Sequence, residues 1–357
     1  MTPALREAFA YQAKSCEALG SPFMARMLPL VPDALPGEGT LAQRLNSWDP
    51  ARLGPSQDSI PLRIAGGLHL LHLKGAAPTL SASYPPNEMG DDTLTAALSH
   101  TFADHEPALL KALDNPPQTN EVRRAAFMIA LGHWLTARYA KPLVVSEVGA
   151  SAGLNLNWDF FCLQAAGKTL GPQGSPVQLA PEWRGTPPTP CPAYVAEARG
   201  VDLMPIDVAN PDEALRLQSY LWPDQADRLA RTRAAIDLFL APDTEAQLDA
   251  GDALDWLPAR LAPRPGHLHL IYSTIAWQYL PEAAQQAGEA MIRDAGAKAT
   301  DDAPLAWGQM EPDGTGPGAA LTLRLWPGDI RIPLGRMDFH GRWIDWQAPD
   351  PRIDPGL

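Results

Sequence analysis

The densest chemistry in the chain lies between Val144 and Asp159, VVSEVGASAGLNLNWD. A β-type run, Leu143 to Val148, leads into Gly149-Ala150-Ser151-Ala152-Gly153, and an apolar helix is expected to follow. Small residues at such a turn let the backbone approach a ligand, and the N–H groups that open a helix face it. In that chemistry Glu147, Gly149, Ala150, Ser151 and Gly153 hold a nucleotide-type cofactor. In a second chemistry Ser151 is a nucleophile, raised on a sharp strand-to-helix turn and activated by a histidine. Its partners, in chain order, would be Asp252 or Asp255 and then His267, His269 or His340. A third reading is a tight turn without a ligand, with Glu147 capping the next helix or pairing with an arginine.

The form E-x-G-x-S-x-G, from Glu147 to Gly153, resembles the first motif of S-adenosylmethionine-dependent methyltransferases, with serine at the middle glycine. The resemblance implies a loop that packs against the amino-acid part and ribose of the cofactor and binds no pyrophosphate. It also implies an acid after the second strand, facing ribose hydroxyls. Asp202 in Ala198-Arg199-Gly200-Val201-Asp202 stands there, about 50 residues beyond the loop where roughly 20 is usual. Asp252 and Ala253, in Gly251-Asp252-Ala253, match the acid expected near adenine. Tyr272 and Ser273, with Asn120 from Gln118-Thr119-Asn120-Glu121, are the polar groups expected to position the acceptor. Gly149-x-Ser151-x-Gly153 is equally the nucleophile elbow of α/β-hydrolases. That reading lacks an upstream His-Gly-Gly-Gly, since Gly66-Gly67 precedes His69 on an apparent helix. Order and spacing favour the cofactor.

The whole chain resembles an uncharacterised bacterial family, domain of unknown function 2332. The residues that carry this are Gln118 to Arg123, Glu147 to Asn155, Gly200-Val201-Asp202 with Pro205 and Asp207, Trp222 to Gln225, and Ser273 to Tyr279. The resemblance implies a methyltransferase-like Rossmann fold and brings no activity with it.

The elements that must position these residues fall into two parts. Residues 1–140 read as a helical N-terminal domain, expected to cover the carboxyl ends of the strands and form an acceptor pocket. Helices are expected over Leu5 to Leu19, from Ser21-Pro22 until Pro29 and Pro32 end it, over Ile60 to Leu73 with an interruption at Gly66-Gly67, from Asp91 on, and from Glu121 to about Tyr139. Residues 141–357 read as a Rossmann-like α/β domain, mostly parallel, with antiparallel strands in the tail from Ala319 to Trp346. A proline-rich insertion at 171–192 accounts for the long spacing to Asp202. Glu311 to Gly318 leaves no room for the helix that methyltransferases carry before their terminal hairpin.

Composition bounds the partners. Acidic residues outnumber basic ones, 41 to 28, for a net charge of −13, which disfavours a polyanionic partner such as nucleic acid. The most apolar stretch, Ala125 to Leu135, is too short to span a bilayer. No secretory leader opens the chain, so a cytoplasmic bacterial protein without a membrane partner is expected. Cys16, Cys162 and Cys191 are far apart and form no CxxC. His267 and His269 share a strand face without a carboxylate, so no metal is expected. A small-molecule substrate remains, with S-adenosylmethionine as cofactor. The sequence sets no oligomeric state.

Overall fold

In a computed structural model, which describes residues 1–55 and 57–352, the chain forms two compact units. One comprises Met1–Thr119 with Ala209–Ala230; the other comprises Asn120–Val208 and the chain from Arg231 onward. Helices α1 (Pro3–Ala18), α2 (Pro22–Ala34), α3 (Thr40–Asn46), α4 (Ile60–Leu73), α5 (Pro78–Ser81), α6 (Asp91–Asp104) and α7 (Glu106–Ala112) come first. Helix α8 (Ala125–Tyr139) and strands β1 (Leu143–Val148), β2 (Cys162–Ala165), β3 (Lys168–Leu170), β4 (Gln178–Leu179), β5 (Glu182–Arg184) and β6 (Val195–Asp202) follow. Next are α9 (Pro211–Ser219), α10 (Ala226–Phe239), β7 (Gln247–Ala250), α11 (Ala253–Arg260), β8 (Leu268–Thr274) and α12 (Glu282–Gly296). Strands β9 (Leu305–Glu311), β10 (Ala319–Trp326), β11 (Ile330–Met337) and β12 (Trp343–Trp346) end the order. Among the described residues no helix is long and apolar enough to cross a membrane.

In the helical unit, Thr2 and Ser21 cap α1 and α2 through the N–H groups of Leu5 and Met24, each followed by proline at the first helical position. Pro29 and Pro32 do not end α2. The helix continues to Ala34 because Met24, Met27, Leu28 and Val31 bury one continuous stripe in the core, and tertiary packing outweighs the two lost backbone bonds. Gly66 and Gly67 do not interrupt α4 either. They let the Tyr220 ring and Ala112 pack against its backbone, where an added methyl would stand 2.7 and 2.8 Å from them.

In the second unit a nine-stranded sheet runs β5-β12-β11-β10-β9-β8-β1-β6-β7. Strands β7, β6, β1, β8 and β9 are mutually parallel, and β10, β11 and β12 continue from β9 as an antiparallel meander. No helix separates β9 from β10, as the glycine-rich link at 312–318 requires. The buried helix α8 lies over one face, where Leu131 and Phe127 approach Gly308. Residues of α11 and α12 pack on the other, with Val148, Val201, Ile271, Trp307 and Trp326 in the core.

One local expectation fails. The loop after β1 is not followed by an α-helix but by a seven-residue 3-10 stretch, Leu154–Phe160, with Asn157 at φ −94° and ψ 24°. Asn155, Asn157 and Asp159 alternate through it, and such side chains compete with helical backbone bonding. The insertion at 171–192 carries two short strands, β4 and β5. Strands β3-β2-β4 form a small sheet, and β5 pairs in parallel with β12 at the edge of the large one. Helix α8, read from sequence with the N-terminal part, belongs to the sheet unit.

Candidate functional site

The strand order places the candidate residues together. From β1 the chain steps outward to β6 and β7, then returns to β8 and β9, so the order reverses between β1 and β8. In open parallel sheets, ligands bind outside the carboxyl ends at such a reversal. Glu147, the Gly149–Gly153 loop, Asp202, Asp252, Tyr272, Ser273 and Glu311 all stand at that end of their strands.

The loop is built from left-handed residues: Gly149 at φ 74°, Ser151 at 56° and Gly153 at 73°. Four of its five amides are bonded within the chain. Gly149 and Ala150 donate to the Val201 carbonyl, Gly153 to the Ala150 carbonyl, and Ser151 to Asp202 Oδ2 at 2.8 Å. Asp202 Oδ1 accepts from Met204 N–H at 2.9 Å, so this carboxylate ties the loop to the end of β6. Asn120, itself left-handed at φ 35°, accepts from Leu154 N–H at 3.0 Å, and the Glu121 carbonyl accepts from Asn155 Nδ2 at 3.2 Å. The polar turn before α8 therefore closes over the loop. A methyl on Gly149 would overlap Ala276, so protein fills the space beside that glycine.

Beneath the loop, Glu147 and Tyr272 are register partners on adjacent strands and point to the same face. The Tyr272 hydroxyl lies 3.0 Å from Glu147 Oε2 and 3.2 Å from the Asn155 carbonyl. Burial pushes the Glu147 carboxyl up to about 8, helped by the charge of Asp202 and opposed by the Tyr272 hydrogen bond and Arg124. At neutral pH it is mostly a neutral acid, able to donate a hydrogen bond. Burial also pushes Asp159 up to about 7 and holds the Tyr272 phenol well above its ordinary value. Ser273 faces the other way and donates to Glu311 Oε1 at 2.9 Å. Glu311 also accepts from Ala276 and Trp277 N–H at 3.0 Å, fixing the turn after β8; burial raises its carboxyl despite these bonds.

The remaining candidates are spread out. Asp252 is exposed and caps α11 through Leu254 N–H at 2.7 Å, with Ala253 buried behind it. Ser151 Oγ is buried and meets no hydrogen-bond partner, so no histidine of the elbow reading reaches it. His269 Nε2 lies 2.9 Å from Ser146 Oγ, and burial holds the ring neutral, down to about 3. His267 contacts the Pro265 carbonyl at 3.0 Å. Glu311, Asn155 and Asp159 were missed in the sequence. Glu311 ends a strand as Asp202 does, and the same rule applied to the fifth strand would have found it. Asn155 lies in a run that carries the family resemblance, but neither it nor Asp159 has a role to point to, because a helix is expected there.

This is an α/β protein with a large, mostly parallel central sheet and a polar cluster at its carboxyl ends. A family model described as "Uncharacterized protein conserved in bacteria (DUF2332)" matches residues 6–346, and the chain belongs to that family. No curated protein matches the chain.

Proposed function

We propose that the chain is a methyltransferase-like protein of Rossmann-like fold that binds S-adenosylmethionine and acts on a small molecule. One observation carries this reading. The parallel strands run in the order β7-β6-β1-β8-β9, and acids stand at the carboxyl ends of the three strands on one side of the reversal: Glu147, Asp202 and Asp252. In doubly wound sheets the nucleoside lies across those ends, with its ribose on the acid after the second strand.

The residues fit such a ligand in part. Each Asp202 oxygen accepts one backbone N–H, and a carboxylate has lone pairs left for two hydroxyls. Asp252 is exposed and keeps Oδ2 for a further donor. The Ser151 hydroxyl, on the residue whose N–H meets Asp202, is buried without a hydrogen-bond partner. Most amides of the loop and of Leu154 behind it are spent on Val201, Ala150, Asp202 and Asn120, which disfavours a phosphate and favours a ligand held through hydroxyls. Glu147 does not fit as a contact to the ammonium, because its carboxyl is buried against Tyr272. It supports the loop from below.

When bound, the cofactor supplies an electrophilic methyl group. The chain's part is to hold the ribose on Asp202, to keep the loop in its left-handed path through Asn120, and to align an acceptor. Tyr272 and Ser273 are fully buried and bonded inside the chain, so they position the loop and the turn after β8.

Calorimetry with S-adenosylmethionine and its demethylated product tests this. Micromolar binding of either ligand, weakened ten-fold or more in Asp202→Ala, is the expected result. Absence of binding, with Ser151 labelled by a fluorophosphonate, would overturn the reading in favour of a serine esterase. Binding without methyl transfer to a broad acceptor panel would assign a binding protein of the same fold.

A further inference from the structure

A second feature of the sheet unit has no part in that reading. A cavity of about 290 Å³ is lined by Arg123, Gln178, Leu179, Ala180, Pro181, Arg231, Gly341 and Arg342. Small-molecule pockets begin near 300 Å³, so the space suits a compact ligand. Three of the eight lining residues are arginine and none is acidic. Arg342 is paired with Asp338, so the positive charge that the cavity presents rests chiefly on Arg123. Guanidinium forks match oxyanions two bonds at a time, and low-dielectric walls strengthen the attraction.

The walls hold these arginines in place. Gly341, at φ 71°, lies so close to Arg123 that an added methyl would come within 2.5 Å of its Cβ and 2.9 Å of its carbonyl. The Arg342 guanidinium is braced by Asp338, with Nε at 2.9 Å and Nη2 at 2.7 Å. The Arg342 carbonyl accepts from Glu182 N–H at 2.9 Å, which joins the segment of Gln178 to Pro181 to the strand beginning at Trp343. Among the described residues the Arg123 side chain makes no ion pair or hydrogen bond. It belongs to the Gln118 to Arg123 run that the loop reading left unused at this end.

We propose that this cavity binds a small, multiply charged oxyanion, such as a phosphate ester or a polycarboxylate, with Arg123 as its principal contact. The proposal is independent of methyl transfer. The full chain is titrated with inorganic phosphate, pyrophosphate and citrate at constant ionic strength, against sodium chloride, following melting temperature and heat. At least one anion is expected to bind saturably. Binding should weaken about ten-fold or more in Arg123→Gln, the scale of one lost charge-assisted pair. It should weaken as well in Ala180→Glu, which adds a carboxylate at an exposed wall position without removing a packed group. Preference for the phosphates or for citrate distinguishes the two ligand sources. No saturable binding by any of the three, or unchanged affinity in both folded variants, overturns the proposal.

Discussion

Glu147 carries the sharpest consequence at the scale of single residues. Its carboxyl titrates near its ordinary value in the unfolded chain and near 8 in the folded one. The folded state therefore keeps a proton that the unfolded state has lost, and stability falls as pH rises from about 4.5 toward 8. Glu147→Gln keeps an acceptor for Tyr272 and cannot ionise. Its melting temperature relative to the parent should climb between pH 5 and pH 8, by the equivalent of a few kcal/mol at most. A difference that stays flat with pH would show that Glu147 does not titrate as described. The type and place of Glu147 were legible in the sequence, because an acid two residues before a glycine loop is a recognisable pattern. Its partner was not. Tyr272 lies 125 residues away, and only the β1–β8 register puts the two side by side.

At the scale of elements, the β1 loop keeps its shape through left-handed residues and internal bonds. Gly149 and Gly153 both sit near φ 74°, but their neighbours differ. A methyl at 149 overlaps Ala276, whereas at 153 it meets the edge of the Phe239 ring at 3.0 Å, which can turn aside. Gly149→Ala should thus cost on the order of 2–4 kcal/mol, and Gly153→Ala about 1 kcal/mol, by denaturant titration. Equal costs would mean that backbone strain alone sets the requirement. The strands of this unit were largely legible, because buried parallel strands read as short apolar runs between turn residues. The helix expected after the loop was not there. Periodicity over Leu154, Leu156 and Trp158 cannot reveal that the alternate Asn155 and Asn157 side chains are buried, or that Asn155 reaches the Glu121 carbonyl 34 residues away.

At the scale of the whole molecule, the chain leaves the helical unit at residue 119 and re-enters it for 209–230. That returning segment is structural. The Asp224 carboxylate accepts from Ser21 Oγ at 2.5 Å and from Phe23 N–H at 2.9 Å, at the start of α2. The Ser219 carbonyl lies 3.1 Å from His69 Nδ1, and Trp222 belongs to the core. A fragment of residues 1–119 alone should lack a cooperative thermal transition, and joining residues 209–230 through a flexible linker should restore one. A cooperative transition in the short fragment would show that the segment is dispensable.

The sequence by itself determined the alternation of strands and helices, the glycine loop, and the acids at Glu147, Asp202 and Asp252, because these depend on local period and residue type. It also pointed to the family, through short runs spread along the chain. Only the tertiary structure decided which groups meet. Asp202 ties down Ser151, Asn120 closes on Leu154, and Glu147 is sealed under Tyr272, across separations of 51, 34 and 125 residues. Sheet register and chain return set those encounters, and neither leaves a periodic signal in the amino acids that obey it.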